Sequence, residues 1–243
     1  MSRSNPQQNL TNPATRWMEW NGEQGVVRYY DKEKKENVDL GADLTFLLLD
    51  QLGCVNGWHD PSNSGIYSNE VRDSRAEVLL VKSFKGGVIA EGLYKAIKDR
   101  VNTAGGSFHA QCYVAYKNGG GALSIGSLKF KGAALHAWAE FAKANRGDLD
   151  SKAVKIEGFT EGKKGRIVYR VPVFKMVNTS AETDAQAVAL DKQLQVFLDS
   201  YLKRNKRDQV EAPAQHVDHE DMAQEATSYD HVPPHTDEDE PPF

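Results

Sequence analysis

The sequence predicts a mainly β protein: a small antiparallel barrel decorated with helices and followed by an acidic tail. Three observations predict it. Short strand-like runs are separated by turns rich in Gly, Asn and Asp. Helical periodicity recurs in three places, without the strand–helix alternation of a doubly wound sheet. From residue 207 onward the periodicity stops, prolines multiply and negative charge accumulates, a composition that cannot bury a core.

The elements follow in order. Residues 1–23 are polar, with Pro6 and Pro13, and read as an irregular arm pinned by Trp17 or Trp20. Residues 24–206 form the folded domain. Gln24 to Asp31 is strand-like, Asp31 to Asn37 is a charged turn, and Val38 to Leu40 begins a second strand. Leu44 to Trp58 reads as one long strand bent at Gly53 and Gly57. Asp60 to Ser64 has loop chemistry, and Ala76 to Lys85 is a strand. Glu91 to Val101 is a helix with Leu93, Ile97 and Val101 on one face. Ser107 to Lys117 and Ala122 to Phe130 form a hairpin about Asn118 to Gly121. Ala133 to Ala144 is a helix with Leu135, Trp138 and Phe141 inward. Lys152 to Phe159 and Arg166 to Val177 make a second hairpin. Residues 183–204 close the domain as an amphipathic helix with Leu190, Leu194, Phe197, Leu198 and Tyr201 on its apolar face.

Charge divides the chain in two. All 30 Lys and Arg precede residue 209, and the segment from Gln209 to Phe243 carries ten Asp and Glu instead. The formal net charge of −4 therefore conceals a basic body and a strongly acidic tail. That arrangement suggests a nucleic-acid binder carrying a competitor for its own site. The polar start lacks the apolar stretch of a secretory signal, and no apolar run is long enough to span a bilayer. A soluble, cytoplasmic protein is expected, with no membrane partner. Cys54 and Cys112 are expected to be reduced and buried, with a single disulfide between them as the alternative.

Enzyme signatures are missing from the pattern. There is no phosphate loop, GxSxG elbow, HExxH or paired-cysteine zinc spacing. Asp148 and Asp150 form a close acidic pair without a supporting set to hold magnesium. His216, Asp218, His219 and Glu220 fall in the tail, where nothing fixes a ligand geometry. Neither catalysis nor a metal or other cofactor is expected. Aromatic and basic residues interleaved on strands point instead to single-stranded nucleic acid, because rings stack on bases while cations track phosphates. On the strand from Ser107, Phe108, Ala110, Cys112, Val114 and Tyr116 form the expected core face, and His109, Gln111, Tyr113 and Lys117 the expected wet face.

The chain closes on DEDEPPF, an acidic run ending in one aromatic. This terminus resembles the acidic tip of bacterial single-stranded DNA-binding proteins, with Pro242 and Phe243 in place of their Pro-Phe pair and Asp237 to Glu240 as the acidic run. Residues 25–177, through VVRYYDKEKKENVDL, GWHDPSNSGIYSNEVRDSR and KGAALHAWAEF, are similar to single-stranded DNA-binding proteins of tailed bacteriophages. The resemblance implies an OB-fold core with a disordered acidic tail. It implies a protein that coats single-stranded DNA during replication, recombination or repair, in the host cytoplasm if phage-encoded. The family's stacking residues do not transfer by motif, so strand position selects the candidates. Trp58, Tyr67, Phe84 and Tyr113 are the expected base platforms. Lys82, Lys85, Lys117, Lys129, Arg166 and Arg170 are the expected phosphate partners, with Arg72 and Arg75 closing over the strand. Asp237, Glu238, Asp239, Glu240, Pro242 and Phe243 are expected to compete for the groove and to recruit replication or recombination proteins. Self-association on DNA fits the same picture. The competing expectation is an interaction or inhibitor protein whose tail mimics the charge of DNA.

Overall fold

The computed structural model describes residues 10–119 and 121–208. Eleven strands and three α-helices build one mixed sheet with helices packed on both faces. The strands are β1 (Arg16–Asn21), β2 (Val26–Asp31), β3 (Glu36–Gly41), β4 (Thr45–His59), β5 (Ser64–Ser68), β6 (Leu79–Ser83), β7 (Gly87–Gly92), β8 (Gly106–Lys117), β9 (Leu123–Lys131), β10 (Ala153–Lys164) and β11 (Ile167–Val177). The helices are α1 (Tyr94–Thr103), α2 (Gly132–Ala144) and α3 (Ala181–Asp208).

The sheet runs β3-β2-β1-β9-β8-β4-β5-β6-β7, and β10 pairs with both β11 and the start of β4. The expectation of a wholly antiparallel barrel is corrected on two counts. β1 and β9 are parallel, and the path has two ends, at β3 and β7. The sheet nevertheless curls around its main core. Val27 of β2, Val81 of β6, Ala90 of β7 and Val101 of α1 are buried in the same cluster, although they come from distant parts of the path. Twist along so long a sheet produces that curl.

Three strands exceed what periodicity revealed. Residues 16–21 are not an irregular arm: Met18 and Trp20 alternate into the core, opposite Trp17 and Glu19. Ser64–Ser68 and Gly87–Gly92 are short strands outside those expected from the sequence, and the second takes Glu91 and Gly92 from the expected helix. The long strand β4 is confirmed, but its irregularity lies between Leu48 and Asp50. Its glycines serve close approach instead. A Cβ at Gly53 would lie 2.5 Å from the Phe108 ring, and one at Gly57 would lie 2.2 Å from the Gly105 carbonyl oxygen.

Helix α1 starts three residues later than expected, burying Tyr94 and leaving Leu93 exposed. Helix α2 buries Trp138 completely, and its indole donates to Gln51 Oε1 at 2.7 Å while stacking against Phe130. Helix α3 lies on the opposite face of the sheet. Leu194, Phe197 and Leu198 pack there on Leu52, Tyr113 and Ile125. No helix among the described residues is long and apolar enough to cross a membrane.

Candidate functional site

Strand register converts the sequence into a map of the sheet face that lies away from the main core. Its first row runs Lys82, Tyr67, Asn56, Ser107 across β6, β5, β4 and β8. Next to it stand Trp58 and Gly65, paired across β4 and β5. A further row runs Cys54, His109, Lys131. The one beyond it runs Leu52, Gln111, Lys129, Glu19, Arg28. After that come Tyr113, Ser127 and Trp17. Alternation places all of these side chains on one face.

Three of the four expected platforms gather at one end. Trp58, Tyr67 and Phe84 are half-buried, and the rings of Tyr67 and Phe84 stack 4.6 Å apart at 21°. Lys82 sits directly across from Tyr67, and Lys85 is exposed in the turn after Phe84. The neighbouring turn is fixed by hydrogen bonds among His59, Ser62 and Ser64, at 2.7 and 2.8 Å. Burial raises the pKa of the Tyr67 hydroxyl. This end of the sheet therefore offers flat rings beside two ammonium groups.

A second, cationic flank lies on β9 and β2. Lys129 and Lys131 occupy it, and Arg28 joins them while paired with Glu19 at 2.7 Å. Burial pulls Lys131 down to about 8, with Glu19 opposing the shift and Arg28 reinforcing it. Between the two ends lies a buried polar chain that the sequence did not announce. Asn56 donates to Cys54 Sγ at 3.1 Å, and Cys54 donates to Gln111 Oε1 at 3.8 Å. Gln111 Nε2 donates to Glu70 Oε1, and the Tyr113 hydroxyl donates to Glu70 Oε2 at 3.1 Å. Burial pushes Glu70 up to about 7, although Tyr113, Lys129 and Gln111 pull it back. Burial also holds His109 well below its usual range, with Lys131 and Lys129 acting in the same direction. In SNEVRDSR, Glu70 has the pattern of a solvated loop carboxylate, and only the fold brings it to Gln111 and Tyr113.

Of the remaining candidates, Tyr113 is corrected in its exposure. Tyr113 is fully buried, not wet, because α3 covers its strand; His109 and Gln111 are buried with it. Lys117 is exposed, but stands ten residues along β8 from Ser107, about 33 Å away at strand rise. Arg72 is tied to Asp50 at 2.8 Å and to Gln195 of α3 at 3.3 Å, so it fastens the helix. Arg75 is exposed and lies 3.7 Å from Asp73. Arg170 is a structural latch: it packs over Phe159, pairs with Glu161, and bonds the Glu23 carbonyl. Its backbone accepts from the Trp20 indole at 2.9 Å. Arg166 is exposed at the tip of the β10–β11 hairpin. The tail residues Asp237, Glu238, Asp239, Glu240, Pro242 and Phe243 lie outside the described residues.

Both cysteines are free and buried. Cys54 is pushed up to about 12 by burial, and Cys112 is raised for the same reason. Among the described residues, no group of three His, Cys, Asp or Glu side chains is placed to hold a metal ion. Comparison with protein-family models, with curated proteins and with solved structures finds no match to this chain.

Proposed function

We propose that this protein binds single-stranded nucleic acid, foremost single-stranded DNA, across the β5–β6 end of the sheet. The observation that carries the reading is the stacked Tyr67–Phe84 pair beside Lys82 and Lys85, with Trp58 one strand away. Stacked, partly exposed rings accept any base, and adjacent lysines accept phosphates, so binding is largely independent of sequence. Lys129 and Lys131 extend the cationic path toward β9.

Strand order supports a finer reading. Within the longer path, β9-β8-β4-β5-β6 is the order of a five-stranded OB barrel, with α1 between the third and fourth strands (β7 being an addition). In that fold the second and third strands form the binding face, and here those strands are β5 and β6. The added strand β1 takes the edge of β9 at which such a barrel would close. In this reading the acidic tail competes for the same face and, once displaced, recruits replication or recombination proteins. Coating of DNA in the cytoplasm belongs to the same proposal.

Titration of poly-dT oligonucleotide against the full chain and against Tyr67→Ala tests it. Binding that weakens about fivefold or more in the variant supports the face, at about 1–3 kcal/mol per stacked base. Equal binding by both proteins removes it.

A further inference from the structure

We propose that Glu70 is a built-in competitor anion for the cationic flank of this face, and that its protonation couples nucleic-acid binding to pH. The inference rests on the reading of the face as a single-strand binding surface.

The position of Glu70 is fixed by the backbone. The segment after β5 continues antiparallel alongside β4, where Gly53 and Val71 exchange both amide–carbonyl bonds, at 2.7 and 2.9 Å. Glu70 therefore stands over the sheet face, and its two oxygens are held from β8 by Gln111 and Tyr113. Gln111 is the cross-strand partner of Lys129. The carboxyl group thus lies on the same sheet face as the ring platform of β5–β6 and the lysines of β9, its partner Gln111 standing directly across from Lys129, so its charge opposes an anion bound there.

The groups facing it come from every neighbouring element. Lys129 of β9 favours its charged form, and Asp50 of β4 disfavours it. Asp50 is itself held by Arg72 and Gln195. From β8 come the donors Gln111 and Tyr113. Cys54 and His109 stay neutral through the physiological range, one raised to about 12 and the other held well below its usual value. Glu70, at about 7, is the member of this set that changes charge near neutrality.

The sign follows. An arriving phosphate repels ionised Glu70 and shares Lys129 with it, so the complex holds the carboxyl proton more tightly than the free protein does. Binding takes up a proton from solvent. Affinity is then flat below about pH 7 and falls above it, by at most about tenfold per pH unit. Lys131, at about 8, weakens anion binding in the same direction but from a higher starting point.

The test is poly-dT titration of the full chain at fixed ionic strength between about pH 6.5 and 8, with Glu70→Gln alongside. The expected result is a fivefold to tenfold loss for the native chain over about that range, and a nearly flat profile for the variant. The variant should bind at the upper pH as tightly as the native chain does at the lower. Parallel loss in both proteins overturns the role of Glu70 while leaving the face intact. No binding at any pH overturns both. Because glutamine also presents a donor to Gln111, a second measurement uses the native chain alone. Calorimetry in two buffers of different ionisation enthalpy should detect proton uptake on binding just above neutrality, and zero uptake contradicts the proposal.

Discussion

The rings of Tyr67, on β5, and Phe84, in the turn just after β6, stack 4.6 Å apart and 21° from parallel. They therefore act as one platform, each ring supporting the other. Tyr67→Ala and Phe84→Ala are each expected to cost about 1–3 kcal/mol in poly-dT affinity. The double variant is expected to lose less than the sum, because the residues are in contact. A fluorescence titration of the three variants measures this directly, and full additivity would argue for two separate platforms.

Tyr113 illustrates the opposite case. It is buried under α3 and gives its hydroxyl to Glu70. Tyr113→Ala is expected to destabilise the fold by about 3–5 kcal/mol through the cavity it leaves. Tyr113→Phe is expected to fold with a smaller loss, about 1–3 kcal/mol, from an unpaired buried acceptor. Urea unfolding gives both values. The Phe variant should retain its poly-dT affinity at acidic pH, where Glu70 is neutral.

The two thiols give an independent check on packing. Cys54 and Cys112 are buried, and burial raises both pKa values, so little thiolate is available at neutral pH. A thiol reagent is expected to react with neither in the native chain and with both in denaturant. Fast native labelling of Cys54 would show that the face opens beside Asn56.

The acidic tail supplies a prediction about salt. Truncation after Asp208 removes ten acidic residues and no basic ones. The truncated chain is expected to bind poly-dT more tightly than the full chain at low salt. The advantage should shrink as salt rises, since exposed charges are screened over about 10 Å at 0.1 M. Binding in a salt series measures it, and identical curves would deny the tail a competing role.

Much of the fold was legible because alternation and turn chemistry act locally. The hairpin through Asn118 and the helix carrying Leu194 and Phe197 were both readable from periodicity. The parallel pairing of Arg16–Glu19 with Gly126–Lys129 was not, because a six-residue strand in a polar segment is defined only by its partner. The burial of Tyr113 was invisible, since nothing in GSFHAQCYVAYK says that a helix some eighty residues later covers one side of it. The partners of Arg72 and Arg170 were invisible for a related reason. A cation on a loop or strand end looks the same in sequence whether it meets solvent or holds Asp50 or Glu161.

The most direct measurement is photo-cross-linking of a halogenated poly-dU oligonucleotide to the full chain, with the attached peptides identified by mass spectrometry. The account predicts adducts at Trp58, Tyr67 or Phe84, abolished by competing unlabelled poly-dT. Adducts confined to the β10–β11 hairpin, or none at all, would contradict the assignment of the binding face to β5 and β6.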